Sequence, residues 1–518
     1  MAGGFVHGST DIGPFQGGAM FGTRRRSSTV PGSAAPGSSA PGNSVPGSTA
    51  PGSSVPGSVA PGSSVPGSVA PGSSIPDGSV PGSSERMEAT YTDIGWLPQT
   101  DTTRGPSSCL MRVGTRASGL RHLDLLSDPG LQSEIIEHWT QSLCDSFNPV
   151  PGMNNPMRCT FTPIALEGAQ SDCTVSSGSV ALFHLICAAS AFSLSRMRAL
   201  PDAKRALERM ALEHHNHGIT HMRQNIQSND ESQCVSILAS LVMCLYNDAI
   251  TGPTPYWRLH MRGAVKWVNH FDYQVWQQSE SASLIYQMFN CMATYIQSQF
   301  LLVDHDESLW DLPFDSPGPY MLDLAFGLPL SLLRGLSSIN QIHMARIRSN
   351  RGYTDDAMQT SIPNVDRLEL ELYMSMPTKL HSSDKVLDEM VYHNGYIHYY
   401  ANLIYMKRVL KDASIEGVQS LIEQALDHIE ALQTTTSKTF SPFLWPISII
   451  ALDAYHTTLQ RRSSRCLDTF ARRSGLDMWN QLSQLIKELW ALRETQGNAN
   501  MKWHESSLFF ANHTFMML

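Results

Sequence analysis

From Leu131 onward, apolar residues recur every three to four positions, the period of an α-helix with one buried face. Ile135, Ile136, Trp139 and Leu143 form one such face. Phe183, Cys187, Ala191 and Leu194 form another, which breaks near Pro201. Residues 201–227 keep the helical period but are polar and carry several Arg and His. Ser228-Asn229-Asp230-Glu231 reads as a capping box that opens the next helix, whose face is Cys234, Ile237, Leu238, Leu241 and Leu245 and whose stop is Gly252-Pro253. Tyr256 to Phe271 is helical again, with Trp257, Met261, Val265 and Trp267. The spacing predicts further helices over 283–303, 329–348, 383–411, 416–433, 441–461 and 476–494. Alternating strand patterns are almost absent.

The pattern predicts an all-α body over residues 130–516, a large helical domain of a dozen or more helices. No fixed-period repeat runs through it, which argues against a solenoid. The proline-rich stretch from Asp304 to Pro329, with Pro313, Pro317 and Pro319, is the candidate division into two packed halves.

Ahead of the body the pattern is different. From Pro31 to Pro81 a proline stands at every fifth position, most often followed by Gly-Ser. Proline presets the first central residue of a turn and glycine accepts the positive φ of the second, so each unit is a turn that buries nothing. Residues 31–84 are therefore expected to be a disordered low-complexity arm, preceded by residues 1–30 and joined to the body by a linker over 85–129. Of the 37 Gly and 30 Pro in the chain, 18 and 12 fall in the first 84 residues, so the body itself is poor in both.

Charge narrows the function. The 518-residue chain carries a net −9, and the body after residue 84 carries −10. A body this acidic has little non-specific affinity for a phosphate backbone. The nine cysteines are odd in number and never closer than ten residues, which points to core thiols in a reducing compartment rather than a disulfide framework. The N-terminus has no apolar signal segment. The longest apolar run, Val180 to Leu194, is interrupted by His184, Ser190 and Ser193 and falls short of the ~18 residues of a membrane span, so no membrane partner is expected.

Candidate chemistry is sparse. No nucleophile elbow, phosphate-binding loop or dinucleotide fingerprint occurs, and the chain is read as a non-enzyme without a catalytic residue or cofactor. Glu213, His217 and His221 lie at four-residue steps on one helix face, a spacing able to hold a metal and equally typical of a solvated polar face. The tryptophans of 257–267 and 490–503 read as core residues, with a ligand cavity as the alternative. Arg24, Arg25 and Arg26 beside Ser27 and Ser28 form a candidate nuclear-import signal or kinase site.

Several segments, in order, resemble the fungal-specific transcription factor domain, the helical regulatory region found beyond zinc-cluster DNA-binding modules. They are Ala181 to Leu194, Asn229 to Gln233 with Leu238 to Tyr246, Trp257 to His260 with Gly263, Ala264 and Trp267, Gly327 to Leu333, Pro442 to Ile450 with Trp445-Pro446, and Leu489 to Arg493 followed by Trp503. The resemblance covers about residues 130–510. It implies a nuclear transcription regulator, with control of a pathway or secondary-metabolite gene cluster among the family's roles. Such regulators usually hold two zinc ions on six cysteines spaced Cys-x2-Cys-x6-Cys. Here no cysteine precedes Cys109, so no DNA-binding residue is identified. The expectation is a regulator that reaches DNA indirectly, through other transcription regulators or a homo- or heteromeric partner, or that responds to a small effector. The alternative class is a helical scaffold or effector-binding protein unconnected with DNA.

Overall fold

The computed structural model describes residues 119–506, apart from 126–128, 153, 229, 253–255, 301–316 and 351–363, together with Met516. The expected arm (1–84), most of the linker, the Arg24–Ser28 cluster and the first part of the 304–329 stretch lie outside the described residues.

The body is all-α. Among the described residues no strand occurs, and the single extended pairing is an isolated bridge between Arg121 and Asp172. A 3-10 turn at His122–Asp124 precedes α1 (Pro129–His138), which runs through a π turn at Trp139–Leu143 into the short α2 (Cys144–Ser146). A second π turn, Met157–Phe161, leads into α3 (Thr162–Gln170). Then come α4 (Gly178–Met197), α5 (Pro201–Ser228), α6 (Cys234–Thr251), α7 (Tyr256–His270) and α8 (Glu280–Phe300). The rest is α9 (Leu322–Phe326), α10 (Leu330–Asn350), α11 (Val365–Met374), α12 (Lys385–Leu410), α13 (Gln419–Thr435), α14 (Leu444–Leu452), α15 (Thr457–Ser474) and α16 (Met478–Thr495).

Two helices organise the packing. Helix α4 is covered by α3, α5 and α6, and α12 by α10, α13 and α14. Both are buried almost all round, which is why their sequences lack a clean polar face. Helices α4 and α6 are long and apolar enough to cross a bilayer by composition, but 89% and 78% of those stretches are buried inside the protein. Their apolar surface is taken up by the core. The apolar run at Val180–Leu194 is thus part of a helix longer than the run itself.

One contiguous core joins the parts on either side of residues 301–316. Tyr295 of α8 donates to His398 of α12 across 2.8 Å, and the indole of Trp445 on α14 donates to Ser298 of α8, also at 2.8 Å. The Tyr295 and Trp445 rings stack with centroids 5.3 Å apart. The Asn148 amide donates to Ala325 O at 3.1 Å and that of Asn394 to Pro149 O at 3.3 Å.

Several local expectations change. Asp230 caps the 3-10 turn Glu231–Gln233 that leads into α6, its carboxylate accepting the Ser232 N–H at 2.9 Å, whereas the Ser228 hydroxyl turns back to Asn225 O. The helix expected over 441–461 is two. Asp453 lies between them, and Arg408 and Arg493 both donate to its carboxylate. Helix α15 escaped the periodicity because Leu459, Cys466, Leu467 and Phe470 are sparse among Arg and Ser; buried Ser463 and Ser474 complete its inner face. Helices α3 and α11 are likewise additional to the expected set.

Candidate functional site

Four histidines from three elements converge at the start of the body. The first is His122, in the 3-10 turn. That turn is held by Asp124, whose carboxylate accepts both the Arg121 backbone N–H at 3.1 Å and its Nε–H at 2.9 Å. The turn is tied to the α3–α4 connection by His122 N–H to Ser171 O at 3.1 Å and Cys173 N–H to Leu120 O at 2.8 Å. The second is His184, one turn and a half into α4, a helix begun by Ser177, whose hydroxyl accepts the Val180 N–H. The others, His214 and His221, lie on α5 seven residues apart, on the face that also buries Met210, Gly218 and Met222. His122, His184 and His214 are each 1% exposed; His221 is half-buried.

Gly218 makes the convergence possible. A Cβ there would fall 2.7 Å from Leu185 Cγ and 3.2 Å from Ala181 O on α4. Only glycine lets α5 approach α4 closely enough at this level for the rings to meet.

The rings touch in series. His122 Nε2 lies 2.7 Å from Val175 O, His184 Nε2 3.3 Å from His122 Nδ1, and His184 Nδ1 2.9 Å from His214 Nδ1. His221 Nδ1 is 3.0 Å from Ser176 Oγ, which also donates to Gln224 Oε1 and accepts from Asn225 Nδ2. The His221 ring stacks on His184 at 5.7 Å and meets His122 edge-on at 5.1 Å. Burial, with the surrounding rings of His214, His217, His221 and His122, drives His184 far below the usual histidine range. Burial and His217 hold His214 at about 4; burial, His122 and His217 hold His221 at about 4. These three rings are neutral at pH 7.

The expected trio of Glu213, His217 and His221 is brought together only in part. Glu213 is exposed, and no carboxylate or thiol joins the histidine group among the described residues. His217 is exposed, with its ring stacked 5.2 Å from His184. His221 turns inward. His122 and His184 were missed, although one signal was available: His184 interrupts an otherwise apolar run, and a buried imidazole must find polar partners.

Of the tryptophans read as core or cavity lining, Trp257, Trp267 and Trp503 are buried. Trp490 is half-buried and borders two open clefts of about 770 Å³ each. Thr457, Gln460, Arg461 and Arg465 line one, and Tyr455, Lys487 and Glu494 the other. None of the described cysteines is in a disulfide; Cys187, Cys234 and Cys244 are core residues, as expected. Burial pushes the Cys144 thiol up to about 12 and Cys187 higher still, so neither supplies a ready thiolate.

Compared with known proteins, residues 134–511 match a family model described as the fungal specific transcription factor domain. No curated protein and no solved structure matches the chain.

Proposed function

The chain belongs to the fungal-specific transcription factor domain family, and from that premise we propose that it regulates transcription through protein contacts made by its helical body. Membership makes it a fungal transcription regulator and implies a non-enzymatic role. The finer reading is that it works in the nucleus, reaches DNA through other regulators or a homo- or heteromeric partner, and controls the genes of one pathway, a secondary-metabolite cluster among the candidates. Effector or partner binding would shift the body between two arrangements; the clefts beside Trp490 are where a small effector could act.

The observation that carries this reading is the family match, which spans nearly all of the described body. The −10 charge after residue 84 supports indirect rather than direct DNA contact by the body. The test is chromatin immunoprecipitation of a tagged chain, paired with footprinting by the purified protein and the transcriptome of a deletion strain. Enrichment at a coherent set of promoters is expected, with no footprint by the protein alone. A reproducible nanomolar footprint would sink the indirect version. Exclusion from the nucleus, unchanged when Arg24–Arg26 are replaced by Ala, would favour the scaffold alternative.

A further inference from the structure

We propose that His122, His184 and His221 form a three-histidine site for a zinc ion, which ties the segment before α1 to helices α4 and α5.

The geometry supports this in three ways. First, one ring nitrogen from each of the three residues lies within 4.8 Å of the other two. One pair, His184 Nε2 and His122 Nδ1 at 3.3 Å, matches the ligand–ligand edge of a tetrahedral zinc with Zn–N bonds of about 2.0–2.1 Å. Second, each ring has its other nitrogen held by a partner suited to orienting a ligand. These are Val175 O for His122, His214 Nδ1 for His184 and Ser176 Oγ for His221. Third, His122 and His184 are each 1% exposed and His221 is half-buried, so the ligand nitrogens are gathered away from bulk solvent.

The tautomers follow from the hydrogen-bond network. Val175 O can only accept, so His122 carries its proton on Nε2 and leaves the Nδ1 lone pair inward. With Ser176 donating to Gln224, His221 Nδ1 carries the proton and Nε2 is left bare. In the metal-free chain His184 donates from Nε2 to His122, and His214 donates from Nδ1 to His184. When zinc binds His184 Nε2, the His184 proton moves to Nδ1 and faces His214 Nδ1, and the His214 proton moves to Nε2. The exchange conserves the proton count and leaves the His214 Nε2–H buried without a partner. The histidine pair thus frees a ligand lone pair by tautomer exchange, at the cost of one buried unpaired N–H. Nitrogen ligands suit zinc, and with no carboxylate or thiol in the group the fourth position falls to water. This assignment differs from the Glu213, His217 and His221 set, since it uses one residue from each of three elements rather than one helix face.

The test uses the full chain purified without a polyhistidine tag. The chain is dialysed against chelator, titrated with Zn²⁺ alone, and assayed by calorimetry and elemental analysis. One equivalent per chain is expected, with a Zn²⁺-dependent rise in melting temperature. Co²⁺ in its place should give the intense visible absorption of a four-coordinate site. His221→Ala, at a half-buried position, should abolish the equivalent while circular dichroism stays that of the parent. Ser176→Ala should weaken binding about 10-fold by leaving His221 unoriented. His217→Ala and Glu213→Ala should leave affinity unchanged. No retained zinc and no thermal shift in the folded parent would overturn the proposal. So would an equivalent that survives His221→Ala, which would place the ion elsewhere, for example at His393 and His428, whose Nδ1 atoms are 2.9 Å apart.

Discussion

At the scale of single residues, buried polar groups show where the structure is least tolerant. Arg408, Asp453 and Arg493 are 3%, 2% and 4% exposed, and one carboxylate serves two guanidinium groups. Further donors go to backbone carbonyls: Arg408 reaches Ala413 O and Asn500 O, and Arg493 reaches Met501 O and Leu452 O. Removing the shared carboxylate leaves two unpaired buried cations, so Asp453→Ala should lower unfolding free energy by about 3–5 kcal/mol in urea titration. A loss below about 1 kcal/mol would show that solvent already reaches the site. Burial also holds His398 at about 4, and burial with His215 holds His260 at about 3, whereas both titrate near 6.5 once unfolded. Between those values the unfolded chain binds more protons, so the stability these neutral rings contribute is complete above about pH 6.5 and is lost as pH falls toward 4. Each should cost about 2 kcal/mol at pH 5. Urea midpoints at pH 7.5 and pH 5 check this; equal midpoints would refute it. Little of this was legible in the sequence, because periodicity reports which residues are buried and not which polar groups meet. His122, in the expected linker, gave no sign of contacting His184, 62 residues on.

At the scale of elements, the helices with a regular apolar face were legible, and those whose inner face is completed by serine, glycine or charge were not. Helices α6, α7 and α16 fall close to their expected spans. Helix α15 did not, since small residues rather than large apolar ones let it close on α13 and α16. Helix ends show how context sets the cost of one change. Gly327 ends α9 and Gly475 ends α15, both with φ of +66°. A Cβ at Gly327 would sit 2.7 Å from Asn394 Cβ and 2.8 Å from Val391 O, whereas at Gly475 it would meet nothing within 4 Å. Gly475→Ala should cost about 1–2 kcal/mol, the left-handed penalty alone. Gly327→Ala should cost clearly more, because α12 blocks the space as well. Equal losses in paired denaturation curves would mean that α9 shifts away from α12 at no cost.

At the scale of the whole molecule, the all-α class was readable from the period alone, whereas the way the parts join was not. The candidate division near 304–329 rested on prolines, a local signal. Contacts such as Tyr295–His398 and Trp445–Ser298 span more than a hundred residues and leave no trace in local spacing. Because these contacts and one core cross that region, residues 119–506 should melt in a single calorimetric transition whose van't Hoff and calorimetric enthalpies agree. Two resolved transitions would support a division near 304–329. The burial of α4 has a further consequence, in time rather than in space. The ribosome delivers α4 before α6, which covers one of its sides, and the last residue of α6 follows the last of α4 by 54 positions. At 5–20 residues per second, roughly 3–11 s pass with a membrane-like apolar helix only partly covered. Over that interval the nascent chain carries an apolar helix side that its later partner has yet to cover, an exposure that favours aggregation.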